Sequence, residues 1–279
     1  MKYLALAIKR VLERILPVEF NRRGARVAYQ NEYKESSASA SARWSKLKNR
    51  QDLVLFVFTH LHESHSQLQQ DLLAIYFKSI GQSIDAPDKF SSGFFVEFGA
   101  TDGVTLSNSV VLERRFGWNG IVCEPGKYWK RTLQKNRKCI IDTRCVYNKS
   151  GQTLKFRQTE IPSLSTIKEF IASDLHVNSR SRGSEYQVKS VSLDDLLMEN
   201  KAPNVIDYLS IDTEGSELEI LEAFDFQAWR IRFISVEHNY SHNREKLFDL
   251  LTKNGYVRVL VEISEFDDWY IHPDLCPFK

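Results

Sequence analysis

Asp212, Glu214 and Glu217 crowd into six residues directly after the apolar run Tyr208–Ile211. Carboxylates packed at the carboxyl end of a buried strand are costly unless they hold a cation, a base or water. A helix predicted from about Ser216 to Phe224 explains Glu217, because a helix N-terminus welcomes negative charge. It does not explain Asp212. A second polar cluster, Glu237-His238-Asn239, closes the next apolar run, Phe233–Val236. In a parallel sheet the two clusters emerge side by side. Asp212, Glu237 and His238 then form an oxygen-rich site for a divalent ion such as magnesium or manganese, or His238 serves as a general base.

A different chemistry is written at Phe94–Phe98, an apolar strand carrying Glu97, followed by Gly99-Ala100-Thr101-Asp102-Gly103 and a helix from about Thr105 to Phe116 closed by Gly117. Strand, Gly-rich turn and helix make the first unit of a doubly wound sheet. Gly99 permits the sharp turn, and Gly103 permits close approach of a ligand or of a packed helix. The spacing is one glycine short of a dinucleotide fingerprint. An acid at that strand end repels a pyrophosphate and suits a cationic head, such as the amino and sulfonium groups of S-adenosylmethionine. The second strand, Gly120–Cys123, ends at Glu124-Pro125, 21 residues beyond Gly103. A carboxylate there can take both hydroxyls of an adenosine ribose; a plain α/β turn with an exposed Glu is the bland alternative. A third strand, Cys139–Tyr147, would bring Cys145 and Val146 to the flank of an adenine, or into the core.

These residues need a scaffold, and the chain is long enough to supply one. It has 279 residues, 42% hydrophobic and 27% charged, an ordinary globular mix with room for a sizeable core. Its longest uninterrupted apolar run, Leu53–Phe58, is far short of the ~20 residues of a spanning helix. The four cysteines form no CxxC pair, which favours a reducing cytoplasm. Residues 1–50 hold twelve Lys or Arg against four acids, while the remaining body sums to about −6. That body has the wrong sign for nucleic acid. The composition therefore divides into a basic arm and linker, 1–50, and a catalytic-type domain, 51–279. Within the arm, Leu4, Ile8, Val11, Leu12 and Ile15 form one stripe of a helix over Met1–Leu16, stopped by Pro17. Its charges exclude a secretory segment. The stripe suits peripheral attachment to an anionic membrane, docking on its own domain, or contact with a second copy. Residues 34–42 have linker composition. Leu53–Phe58 reads as strand or helix, and Gln67–Ile80 as a helix stopped by Gly81. His60, His62 and His65 share no helix face and read as solvated or substrate-facing rather than metal-binding.

The assembled motifs resemble the FkbM family of S-adenosylmethionine-dependent methyltransferases. The resemblance rests on Phe94–Gly103, Leu106-Ser107-Asn108-Ser109, Leu112-Glu113, Gly117-Trp118-Asn119-Gly120, Cys123-Glu124-Pro125, Asn136-Arg137, Val191–Leu197, Ile206–Leu221 and Ile234–His238. It begins upstream at Ser66-Gln67 and Gln70-Asp71 and spans roughly residues 60–272, leaving the basic arm outside. It implies an α/β, Rossmann-like class I methyltransferase fold: a mostly parallel seven-stranded sheet, helices on both faces and an antiparallel C-terminal hairpin from Gly255–Glu262 and Asp268–Ile271. It implies methyl transfer, most often to an oxygen of a sugar, glycan or small natural product. The candidate cofactor residues are Glu97, Gly99, Asp102, Gly103, Ser107, Glu124 and Val146. The candidate catalytic residues are Asp212, Glu214 and His238, with Asp212, Glu237 and His238 as the metal set. Metal-dependent relatives in chemistry, such as catechol O-methyltransferase, place ion ligands at the corresponding strand ends, although His238 departs from their pattern. Ser163–Thr166 and residues 168–187 are expected to border the acceptor pocket. Two other classes stay open: an inactive binding protein on the same fold, and an NAD-dependent oxidoreductase, against which the missing glycine and Glu97 argue.

Overall fold

A computed structural model describes residues 36–47, 50–80, 90, 92–171, 180 and 182–278. The helix expected over Met1–Leu16, with the membrane, docking and dimer contacts drawn from it, lies outside these residues.

Strand β1 (Phe94–Phe98) is buried over four of its five positions, and alternate side chains enter different cores. Phe95 joins one, Val96 and Phe98 the other. The same division separates Phe233 from Ile234 on β9 (Arg230–Glu237) and Trp269 from Tyr270 on β11 (Asp267–Ile271). A sheet covered on both faces reads as continuous apolar runs, as these strands do. With β2 (Asn119–Cys123), β3 (Ile140–Asp142), β8 (Val205–Ile211) and β10 (Val257–Val259), the order is β10-β11-β9-β8-β1-β2-β3. Every pair is parallel except the two made by β11. This is the seven-stranded class I sheet with its reversed C-terminal strand.

Helices α1 (Ser37–Trp44), α2 (Gln51–His60) and α3 (Gln70–Ser79) pack on the Phe95 face, together with α4 (Val110–Phe116). Leu53–Phe58 is thus helical. The linker expectation for residues 34–42 fails over most of its length. Ser36 Oγ accepts the Ser39 amide at 3.1 Å as an N-cap, and Ala40 and Trp44 are buried. Arg43 donates to Ile263 O and Gln69 Oε1, both at 2.6 Å, and Trp44 Nε1 donates to Gln69 Oε1 at 2.9 Å. Alanine and serine suit a helix packed close as well as a linker; Arg43 and Trp44, beyond the window, decide between them.

Two other boundaries move. The helix expected from Thr105 starts only at Val110, because Asp102 Oδ1 accepts the amides of Val104 (2.9 Å) and Thr105 (2.7 Å) and holds a turn there. The strand expected over Cys139–Tyr147 splits after Asp142. Its second part, β4 (Cys145–Val146), enters a separate sheet ordered β4-β7-β5-β6, with β5 (Thr153–Thr159), β6 (Thr166–Ile167) and β7 (Gly183–Val191). Among the described residues, no helix is long and apolar enough to cross a membrane.

Candidate functional site

The order of the large sheet reverses at β1, with β2 and β3 on one side and β8 and β9 on the other. Ligands of doubly wound sheets bind at the carboxyl ends of the strands flanking such a point. A cavity of about 730 Å³ opens there, walled by the loops after β1, β2, β8 and β9 and by Val146, Phe156 and Ile167 of the small sheet. The loops after β1 and β8 touch. Gly99 has φ +72°, and a methyl group on it would lie 2.1 Å from Asp212 O, so both its conformation and its space demand glycine.

Glu97, Gly99, Asp102, Ser107, Glu124, Val146, Asp212, Glu214 and Glu237 all line this cavity. Gly103 does not. A methyl on it would meet Arg137 Cγ at 2.6 Å and Leu133 Cδ1 at 2.7 Å, so its role is to seat helix α5 (Lys130–Asn136) against the loop. Glu97 also differs from expectation in its electrostatics. It accepts from Ser107 Oγ (3.0 Å), Asn108 N (2.6 Å) and Ser109 Oγ (2.5 Å), and it ion-pairs with fully buried Arg137 at 3.3 Å. Its charge is therefore already compensated inside the protein. Asp102 and Ser107 likewise spend their oxygens on the loop and on the amides of Ser109 and Val110.

Glu124 stands at the end of β2, accepting the amides of Thr101 (2.9 Å) and Gly126 (2.6 Å), and burial pushes its carboxyl up to about 7. Two residues of the cavity wall carry a buried polar atom with no hydrogen-bond partner among the described residues: Trp129, at Nε1, and Asn108, at Oδ1. An orphaned donor beside an adenosine-type carboxylate and an orphaned acceptor near the Gly-rich loop fit a polar ligand such as S-adenosylmethionine, whose ends differ in hydrogen-bonding character.

At the β8 and β9 ends of the wall, carboxylate oxygens of Asp212, Glu214 and Glu237 all lie within 4.8 Å of one another. Glu214 is ion-paired to buried Arg180. Burial, with the Glu217 charge adding to it, pushes Asp212 up to about 7. Burial and the Asp212 charge push Glu237 well above the ordinary carboxylate range. Glu217 stands apart as a cap, accepting from Thr213 N and Oγ1 (both 2.9 Å) and Gly215 N (3.0 Å). His238 is not brought to the cluster. Its Nδ1 accepts the Tyr240 amide at 3.0 Å, its Nε2 faces Asp268 Oδ1 at 3.8 Å, and it is absent from the cavity wall. Burial holds it below the ordinary imidazole range. Of the metal set expected from sequence, Asp212 and Glu237 are brought together with Glu214 in place of His238, because successive side chains of an extended chain point to opposite sides.

The three upstream histidines also stay apart from this wall. His60 and His62 face Glu63 at 3.4 and 3.7 Å, and His65 Nδ1 lies 3.2 Å from Val104 O. Ser163, Leu164 and Ser165 do border the cavity, as their position suggests. Tyr128, Trp129 and Phe156 were not found from sequence; the aromatic pair directly after Glu124-Pro125 was the available signal.

Raised carboxyl pKa values set the pH dependence of stability. Asp212 and Glu124 titrate at about 7 in the fold and Asp267, also raised by burial, at about 6, against roughly 4 when unfolded. Between those values the native state binds more protons, so stability falls as pH rises. The ligand-free protein should melt at a higher temperature at pH 5.5 than at pH 8. Calorimetric melts showing the reverse order would refute the burial-driven shifts.

The family profile described as Methyltransferase FkbM domain matches residues 97–270. No curated protein matches the chain. Among solved structures, an uncharacterized protein from Burkholderia thailandensis aligns over 91% of this chain and 75% of its own at 8% identity, with a TM-score of 0.24.

Proposed function

The chain belongs to the FkbM methyltransferase family, and we propose that it is an S-adenosylmethionine-dependent O-methyltransferase acting on a hydroxyl of a sugar, glycan or small natural product. The observation that supports an oxygen acceptor is the pair Asp212 and Glu237 in the cavity wall, whose carboxylate oxygens lie within 4.8 Å of each other. When bound, the cofactor supplies a methyl group on a sulfonium, which needs an acceptor held in line and relieved of its proton. Asp212, ionised near neutral pH, accepts the hydroxyl proton as the oxygen takes the methyl group. Glu237 keeps its own proton and orients Asp212 by sharing it, the arrangement in which neighbouring acids divide the acid and base roles. Glu124 holds the ribose hydroxyls, and Gly99 lets the backbone close under them.

A divalent cation on Asp212, Glu214 and Glu237 is the second reading, favoured by the 4.8 Å clustering of their oxygens. The Arg180 guanidinium on Glu214 weighs against it. Incubation with isotopically labelled S-adenosylmethionine and a panel of sugar and natural-product hydroxyl compounds tests the activity, and EDTA divides the two readings. On the base reading, transfer survives chelation; loss with EDTA and recovery with magnesium or manganese favours the cation.

Binding is tested separately at Glu124. Glu124→Ala should weaken S-adenosylhomocysteine binding by about 1.5–3 kcal/mol, the range for hydrogen bonds to a charged group. An unchanged dissociation constant by calorimetry, with the fold intact, contradicts the ribose assignment.

A further inference from the structure

Resting on the methyltransferase reading, we infer that Trp129 and Asn108 are direct cofactor ligands, Trp129 for the adenosine half and Asn108 for the ammonium of the amino-acid half. Neither belongs to the glycine-and-acid pattern by which the site was found. Both carry a buried polar atom that no described residue satisfies, and both line the same cavity. Leaving such an atom unpaired is expensive, and each one calls for an explanation.

Their positions assign the two ends. A methyl group on Gly126 would lie 2.6 Å from Glu124 Oε1 and 3.2 Å from Trp129 Cδ1, the ring carbon bonded to Nε1. The indole N–H edge therefore sits beside the carboxylate proposed for the ribose. Indole nitrogen only donates, and the ribose and adenine offer acceptors. Asn108 is held instead between β1 and β8. Its backbone N–H donates to Glu97 at 2.6 Å, and its side-chain Nδ2 donates to Ser210 Oγ at 2.9 Å, which leaves Oδ1 as the unpaired atom. Ser210 lies on β8 two residues before Asp212, so this oxygen sits by the crevice between the β1 loop and the acid wall. An amide oxygen only accepts, and an ammonium is the donor that the amino-acid half provides. With Arg137 compensating Glu97, Asn108 takes over the part that the sequence pattern assigns to that acid.

Calorimetric titration with S-adenosylhomocysteine and with 5′-methylthioadenosine, which lacks the amino-acid half, tests both assignments. Trp129→Phe keeps the ring and should weaken both ligands by the same factor, about three- to tenfold for one neutral hydrogen bond. Asn108→Ala should weaken S-adenosylhomocysteine about 10- to 100-fold and leave 5′-methylthioadenosine within twofold. Asn108→Asp keeps an acceptor oxygen and should restore the preference for S-adenosylhomocysteine even if the alanine variant folds poorly. Ligand-free melts of each variant track the fold. Equal loss of both ligands in Asn108→Ala and Asn108→Asp, or no loss of either in Trp129→Phe, overturns the inference while leaving the cofactor reading intact. Wild-type binding that vanishes without the amino-acid half removes Trp129 as an anchor and overturns its assignment. A wild-type protein that binds neither ligand refutes the methyltransferase reading itself.

Discussion

Asp212→Asn should lower kcat for methyl transfer by about 10²–10⁴, the usual size of general-base catalysis, while S-adenosylhomocysteine affinity stays within about threefold. The amide keeps the shape of the carboxyl group and cannot take the proton. The wild-type enzyme should in turn lose turnover as pH falls through about 7, where burial and the Glu217 charge place Asp212. Below that value Asp212 is protonated and has no room for the acceptor's hydrogen. The profile should be flat in Asp212→Asn over the same interval. His238→Gln should leave the profile in place, since the imidazole acceptor nitrogen is already occupied by the Tyr240 amide. Pre-steady-state transfer with an acceptor from the hydroxyl panel measures all three. A kcat within threefold of wild type for Asp212→Asn would falsify the base assignment and leave proximity between cofactor and acceptor as the source of rate.

The strands of the large sheet were legible because burial on both faces writes itself as short apolar runs, and the chemistry sits where those runs stop. Glu97, Glu124, Asp212 and Glu237 were found in this way, each an acid at a strand end or next to it. What was not legible depends on contacts across the sequence. Nothing local to Glu97 reveals that Arg137, forty residues later, neutralises it. Asn136-Arg137 was marked by resemblance alone, without a role. His238 followed an acid at a strand end and looked like a ligand, but successive side chains of an extended chain point to opposite sides, and its ring faces Asp268. The small sheet escaped for a simpler reason. On β5 and β7 most residues are exposed or half-exposed, so the hydrophobic pattern that marks a core strand is faint there.

Arg137→Met should destabilise the fold by about 3–5 kcal/mol, a loss on the order of 10 °C in melting temperature for a domain of this size. The guanidinium is fully buried and answers two acids at once, Glu97 at 3.3 Å and Glu113 at 2.5 Å. It also donates to Ser109 Oγ at 2.9 Å, and its stem packs over Gly103. Methionine can replace the stem but not the charge, so the variant leaves a buried carboxylate beneath the Gly-rich loop with no cation to balance it. That imbalance, rather than a lost attraction, is the source of the penalty. The double variant Glu97→Gln/Arg137→Met should therefore be more stable than Arg137→Met alone, an inversion that a merely additive packing defect cannot produce. Denaturant melts of the four proteins in this cycle give the coupling directly. If the double variant is less stable than either single one, Glu97 is not held by Arg137. Its charge would then be free for a cofactor cation, as the strand-end acid first suggests.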